Sequence, residues 1–153
     1  MCFSASVSFA ASAFVAGAGA LALRETRTMS ERPFASVPLL FAMQQFVEGV
    51  LWLLLPHIGA GGASHLLVQV YAFFIGVIWP MAIPLGILLI EPDRLRKRLM
   101  MGVFAIGVIV AIGTFMIILR YGVGVEVINH CLVYTNPFGG GLVVRSAYVI
   151  ATC

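Results

Sequence analysis

One stretch of the sequence carries a carboxylate and two amides inside an otherwise apolar run. Gln44, Gln45, Glu48 and Trp52 follow one another at intervals that place all four side chains on one face of a helix. A charged carboxylate at the centre of a bilayer costs about 2.5–3.5 kcal/mol on insertion scales. We therefore expect this face to be buried against other helices, where it forms a candidate polar binding site.

The role of Glu48 has two interpretations at the level of the sequence. Ionisable residues inside membranes are typically functional, so Glu48 can bind a proton or a small cation. It can equally be a structural anchor that is hydrogen-bonded to a neighbour such as Arg145 or Gln69. The candidate binding site comprises Gln44, Gln45, Glu48, Trp52 and Arg145.

Cysteine and histidine side chains form a second candidate site. Cys2, His57, His130 and Cys131 offer thiolate and imidazole ligands, which suit zinc, copper or haem iron. Their spacing matches neither CxxC nor HxxxH, so the indication of a metal or haem cofactor is weak. A disulfide between Cys2 and Cys131, or free thiols at both positions, are the alternatives.

The composition places these residues in a membrane. Hydrophobic residues make up 61% of the chain and charged residues 10%, and the mean hydropathy is +1.07. Soluble domains carry about 25% charged residues. The net charge of +3 does not indicate nucleic-acid binding, because the basic residues lie in loops between apolar runs. We predict an integral membrane protein that contacts the lipid bilayer and no nucleic acid.

Four apolar runs are long enough to cross a bilayer core of ~30 Å at 1.5 Å per residue. Between residues 122 and 141 the sequence alternates polar and β-branched residues, which predicts a structured loop with a short hairpin. Residues 143–153 are apolar but span only about 16 Å as a helix, so they predict a partial fifth helix. The four full runs cover residues 4–23, 34–55, 66–90 and 99–119.

Prolines and small residues predict details of these helices. Pro38 predicts a kink early in the second run, Pro56 is expected to end that run, and Trp79-Pro80 with Pro84 predicts a bend in the third. In the first run, small residues at every fourth position predict a close helix–helix contact. These small residues are Ser4, Ser8, Ser12, Ala16 and Ala20.

Basic residues predict the orientation in the membrane. Loops 24–32 and 91–98 contain seven of the nine Lys and Arg residues, whereas loop 56–65 contains none. By the positive-inside rule the two basic loops are cytoplasmic, and the N-terminus, the 122–141 loop and all three histidines are outside. Glu48 then lies about 12 Å below the outer end of its helix and can face a cavity that opens outward. Tyr121 and Tyr134 are expected in the outer interfacial belt.

Seven short segments, spread over nearly the whole chain, carry a resemblance to a known family. They are Met1-Cys2-Phe3-Ser4-Ala5, Pro38-Leu39-Leu40-Phe41, Gln44-Gln45, Glu48-Gly49-Val50-Leu51-Trp52, Trp79-Pro80, Glu91-Pro92-Asp93-Arg94 and residues 130–134. This set resembles a family of small bacterial multi-pass membrane proteins of unknown function. The resemblance implies a single transmembrane domain over residues 1–153 that lacks the C-terminal helices of longer relatives. It implies no activity.

These observations predict an all-α integral membrane bundle in the bacterial cytoplasmic membrane, with four full transmembrane helices, a partial fifth and the N-terminus outside. We favour a binding or transport protein with an intramembrane polar site around Glu48 that is open to the outer face. One alternative is an intramembrane redox or metal/haem-binding enzyme that uses Glu48, His130 and Cys2. Another is an accessory subunit that packs in a homo-oligomer or a larger membrane complex.

Overall fold

The computed structural model describes residues 4–58, 62–128 and 131–135, and its scaffold is a set of apolar helices. Within these residues four helical stretches are long and apolar enough to cross a membrane, so the predicted all-α membrane bundle is confirmed. The elements are α1 (Ala5–Glu25), α2 (Arg32–Ala35), α3 (Val37–Ile58), α4 (Ala63–Phe73), a π-turn (Phe74–Ile78), α5 (Trp79–Ile90), α6 (Arg94–Tyr121), β1 (Gly124–Ile128) and β2 (Cys131–Thr135). The predicted partial fifth helix lies outside the described residues.

Side-chain caps fix where two of the helices begin. Ser4 caps α1 by accepting a hydrogen bond from the Val7 N–H. The Asp93 carboxylate accepts hydrogen bonds from the N–H groups of Leu95 (3.0 Å) and Arg96 (2.9 Å), so α6 begins at Arg94. This is five residues earlier than the apolar run predicts, because the capped first turn is charged and the hydropathy pattern does not include it.

The prolines act close to the predicted places, with one exception. The second span breaks at Ser36, between α2 and α3, because the Pro38 ring cannot coexist with a straight helix through the preceding turn. Pro56 does not end α3, which continues to Ile58 with the proline in its last turn. The proline removes one helical hydrogen bond and crowds the carbonyl four residues earlier, and the helix ends two residues after it.

The third span contains a π-turn directly ahead of Trp79-Pro80. The Trp79 N–H donates to the carbonyl of Phe74, five residues earlier. Pro80 has no N–H, and its ring would clash with the carbonyl four residues earlier, so a widened turn accommodates it. The predicted irregularity of this span is therefore a π-turn, a feature that often occurs at functional sites.

Helices α1 and α3 pack closely and antiparallel. Ser8, Ser12 and Gly19 are buried in their contact, and the Ser12 hydroxyl donates to the carbonyl of Ala42 at 2.8 Å. A Cβ atom at Gly19 would lie 2.8 Å from the Leu39 side chain, so only glycine allows this approach. The predicted every-fourth-residue stripe is wrong at its far end, since Ala20 is exposed. A four-residue step turns about 40° past a full helical turn, and the error accumulates along the helix.

A two-stranded hairpin follows α6 and closes one end of the bundle. Strands β1 and β2 pair antiparallel, with Val125 opposite Tyr134 and Val127 opposite Leu132. The predicted hairpin is thus confirmed. Its inner side chains join a hydrophobic cluster with the ends of α3, α4 and α6, and we call this end of the bundle the hairpin side. The cluster consists of Leu51, Leu55, Val68, Tyr71, Ile118, Val123, Val125 and Leu132.

Candidate functional site

The carboxylate of Glu48 is enclosed within the bundle. Its side chain is 0% exposed, and Gln44 and Gln45 are each 2% exposed, so the predicted burial of this face is confirmed. The Gln45 side-chain Nε2 donates to Glu48 Oε2 at 3.4 Å. A contact this long is a weak hydrogen bond, and it uses only one of the two carboxylate oxygens. Glu48 is the only charged side chain buried among the described residues.

The neighbouring glutamine joins α3 to the helix that follows the π-turn. The Trp79 indole Nε1 donates a hydrogen bond to Gln44 Oε1. The Trp79 ring also contacts Phe41, with 6.2 Å between ring centroids. Trp79 is the first residue of α5, directly after the π-turn. Tyr71, which also lies beside Gln44, is in the last turn of α4, directly before the π-turn.

Two tyrosines cover Glu48 on the hairpin side. Tyr71 is 0% exposed, and its side chain lies beside Gln44 and Glu48. Tyr134 reaches inward from β2 and stacks on Tyr71, with 4.5 Å between ring centroids and 9° between ring planes. Glu48 is therefore closed off from the hairpin side by a stacked aromatic pair. We call Gln44, Gln45, Glu48, Tyr71, Trp79 and Tyr134 the Glu48 cluster.

The Glu48 cluster contains buried polar atoms that the rest of the described chain does not satisfy. Glu48 Oε1, the Tyr71 hydroxyl and the Tyr134 hydroxyl lie near one another, but none has a partner in full hydrogen-bonding geometry among the described residues. The Ser8 hydroxyl and the Trp52 indole N–H are also buried without a hydrogen-bond partner among the described residues. A buried polar group left without a partner costs about 1–3 kcal/mol, and native proteins keep few of them. Unpaired groups concentrated around one carboxylate mark a site that an additional molecule or proton can satisfy.

The surroundings of Tyr134 keep its hydroxyl protonated. Burial raises the pKa of Tyr134 well above its usual value, and the nearby Tyr71 and Glu48 raise it further. The hydroxyl therefore stays neutral at physiological pH, and it can both donate and accept a hydrogen bond.

A small cavity lies behind the two tyrosines. Its volume is about 150 Å³, and it extends from the π-turn to the start of the hairpin. At about 30 Å³ for each water molecule, it has room for about five waters. Its wall is largely apolar, and Thr114 of α6 adds a hydroxyl to those of the tyrosines. The lining residues are Tyr71, Ala72, Ile75, Gly76, Thr114, Ile118, Val123 and Tyr134.

The hairpin that carries Tyr134 is fixed by a side-chain clamp. Both ends of the Gln69 amide bind the backbone of Val123: Nε2 donates to the carbonyl at 2.9 Å, and Oε1 accepts from the N–H at 3.0 Å. Gln69 was one of two expected partners of Glu48, and that expectation is wrong because its amide is used here. The other, Arg145, lies outside the described residues.

The other predicted site residues lie outside the Glu48 cluster or outside the described residues. Trp52 is half-buried and packs against the hydrophobic cluster of the hairpin side, and its indole N–H has no partner among the described residues. His57 is exposed at the end of α3. Cys2, His130 and the side chain of Cys131 lie outside the described residues. Elsewhere in the described chain, no three His, Cys, Asp or Glu side chains converge as metal ligands.

Sequence reasoning missed the aromatic half of the cluster. Tyr134 was expected in the interfacial belt, but it turns inward because the strand register pairs it with buried Val125. Tyr71 lies about 12 Å into its span, eight residues after Ala63, and that depth was the available signal. Trp79 was expected only as part of the bend in its span, yet its N–H binds Gln44.

Comparison with known proteins places the chain in a family without assigning an activity. No curated protein and no solved structure matches the chain significantly. The model of a family of unknown function, DUF6629, matches residues 1–153. The chain, with its helical scaffold and buried Glu48 cluster, therefore belongs to the DUF6629 family.

Proposed function

We propose that this protein is a binding or transport protein of the bacterial cytoplasmic membrane, in which the Glu48 cluster binds a proton or a small solute that presents hydrogen-bond donors or a positive charge. The observation that carries the proposal is the unpaired carboxylate oxygen of fully buried Glu48, next to two unpaired tyrosine hydroxyls.

The pairing pattern favours a functional group over a structural anchor. A structural carboxylate in a bilayer is expected to be saturated with donors, because a charged group there costs about 2.5–3.5 kcal/mol. Glu48 instead receives one long hydrogen bond from Gln45 among the described residues. Its second oxygen is an acceptor that a proton, a cation or a donor group would satisfy.

The surrounding helices favour a site that can change its packing. The π-turn and the two prolines of the third span interrupt the helix next to the cluster. Broken helices at membrane depth are typical of binding sites in transporters, where irregular backbone is tolerated if it lines a cavity. The 150 Å³ cavity beside the π-turn is consistent with this pattern.

The test is flux through the purified protein in liposomes. Wild type, Glu48→Gln and Glu126→Gln are compared for the movement of protons, Na⁺, K⁺ and methylammonium down imposed gradients. Glu126 is the matched control, because it is an exposed carboxylate on β1. We expect the wild type and Glu126→Gln to move at least one of these ions faster than empty liposomes, and Glu48→Gln to lose that movement. Equal flux in Glu48→Gln and wild type, or no flux above empty liposomes for any ion, would contradict the proposal.

A further inference from the structure

We propose that Tyr71 and Tyr134 form a relay that passes protons between the cavity on the hairpin side and Glu48. The inference rests on the proposed function and deepens it, since it names the proton as the ion and two hydroxyl groups as its route. It is based on three observations: the order of the unpaired atoms, the stacking of the rings and the position of the cavity.

The unpaired polar atoms form a series rather than a scattered set. Tyr134 stacks on Tyr71, and Tyr71 lies beside Glu48. Each of the three side chains has one buried oxygen without a hydrogen-bond partner among the described residues. The two hydroxyls can each donate and accept, and the carboxylate oxygen can accept. Small rotations of the side chains would join these oxygens into one hydrogen-bonded chain.

The near-parallel stacking supports this order of contacts. A ring angle of 9° and a centroid distance of 4.5 Å place the faces of the two rings against each other. This geometry is the offset stacking that aromatic rings prefer, and a phenylalanine at either position could stack in the same way. The hydroxyls are therefore the feature of the pair that packing does not explain.

The cavity supplies the outer end of the route. Both tyrosines lie in its wall, together with Thr114 and Val123. Its volume of about 150 Å³ is enough for several waters, and the three hydroxyls give such waters polar partners. Water in this cavity would meet the relay at Tyr134 and Tyr71, while Glu48 itself is not part of the wall.

The proton transfer balances without any other reactant. A hydronium ion in the cavity gives a proton to the Tyr134 oxygen, and the proton already on Tyr134 moves to the Tyr71 oxygen. The proton already on Tyr71 moves to Glu48 Oε1. Both tyrosines remain neutral, the hydronium becomes water, and the carboxylate becomes a carboxylic acid. Release toward the cavity follows the same steps in reverse.

The experiment measures proton flux in liposomes for Tyr71→Phe and Tyr134→Phe, with thermal stability measured in parallel. Tyr121→Phe is the control, because Tyr121 is exposed at the end of α6. We expect either relay variant to lower the proton flux by roughly tenfold or more, as for loss of a positioned proton-transfer group. The melting temperature shows whether each variant is folded under the assay conditions, so that a lower flux reports the lost hydroxyl. Wild-type flux should slow in D₂O, and the residual flux of the variants should change less.

Each other outcome has a definite meaning. Wild-type proton flux in both variants, together with lost flux in Glu48→Gln, would overturn the relay and leave the proposed function standing. A loss of proton flux in Tyr121→Phe as large as that in the relay variants would also overturn the relay, because the Tyr121 hydroxyl lies outside it. Proton flux in Glu48→Gln equal to that of wild type would overturn the relay, and it would also overturn the proposed function for the case in which the ion is a proton. Wild-type liposomes that move another cation but no protons would overturn the relay alone.

Discussion

The two sides of α3 face interfaces of opposite character. Against α1, the contact is close and its polar group at Ser12 is paired, with the hydroxyl bound to the carbonyl of Ala42. Against α4 and the hairpin, Glu48, Tyr71 and Tyr134 each have an unpaired oxygen. The first interface stabilises the bundle. The interface with α4 and the hairpin leaves polar groups without hydrogen-bond partners, which is typical of a functional site.

Ser8 marks the boundary between these two kinds of interface. It is buried in the α1–α3 contact, but its hydroxyl has no partner among the described residues, unlike that of Ser12 one turn away. The ring of its neighbour Phe9 lies against Gly49, so Ser8 is close to the depth of Glu48. The loss of pairing therefore coincides with the depth of the Glu48 cluster and not with one particular helix.

The largest expected effect is at the close-packed interface. Gly19→Leu should destabilise the protein by about 1–3 kcal/mol or more, because a Cβ at this position already meets the Leu39 side chain and backbone. Gly17→Leu is the matched control, since Gly17 has open space around it. Thermal unfolding in detergent measures both. Equal losses for the two variants would show that the α1–α3 contact is not the tight interface described here.

The next effect concerns the clamp on the hairpin. Gln69→Ala removes both hydrogen bonds to Val123 and should cost about 1–3 kcal/mol for the groups left unpaired. Amide hydrogen exchange in β1 and β2 should then accelerate, while exchange in α1 stays unchanged. Glu126→Ala, at an exposed position of β1, serves as the control. Unchanged exchange in the hairpin of Gln69→Ala would contradict the clamp.

Alkaline pH should act on the site and not on the α1–α3 contact. The pKa of Tyr134 is raised in the folded protein, so the folded state retains a proton that the unfolded chain loses above pH of about 10. Stability should therefore fall as the pH rises above that value. Tyr134→Phe should reduce this loss of stability. Tyr71 and Glu48, which face the Tyr134 hydroxyl, remain in the variant. A stability curve that is identical for wild type and Tyr134→Phe up to pH 12 would contradict this assignment.

The smallest effect compares two serines on the same helix. Ser12→Ala should cost about 0.5–1.5 kcal/mol, because it removes the hydrogen bond to Ala42. Ser8→Ala should be neutral or slightly stabilising, because its hydroxyl is buried without a partner. Thermal unfolding of the two variants side by side is the measurement. A larger loss for Ser8→Ala than for Ser12→Ala would reverse the comparison between the two interfaces.

The sequence predicted the membrane scaffold well because apolar runs act locally, whereas the capped first turn of α6 and the end of α3 beyond Pro56 were not predicted. The burial of Gln44, Gln45 and Glu48 was also predictable, since the cost of a carboxylate in lipid leaves few alternatives. Tyr71 and Tyr134 could not be paired from the sequence, because 63 residues separate them and their contact depends on how the hairpin folds back over α4. The same holds for Gln69 and Val123. A hydropathy pattern gives the depth of a residue in the membrane but not its partner.

The most direct test of the central claim is the thermal stability of Glu48→Gln and Glu48→Leu beside wild type, in detergent at several pH values. Glu48→Gln retains the shape and much of the hydrogen bonding of the side chain, so we predict that it stays close to wild type. Glu48→Leu leaves the buried amide of Gln45 unpaired and should lose about 1–3 kcal/mol for each such group. A pH-independent loss in Glu48→Gln as large as that in Glu48→Leu would show that the carboxylate is a charged structural anchor, and it would contradict the functional role of Glu48.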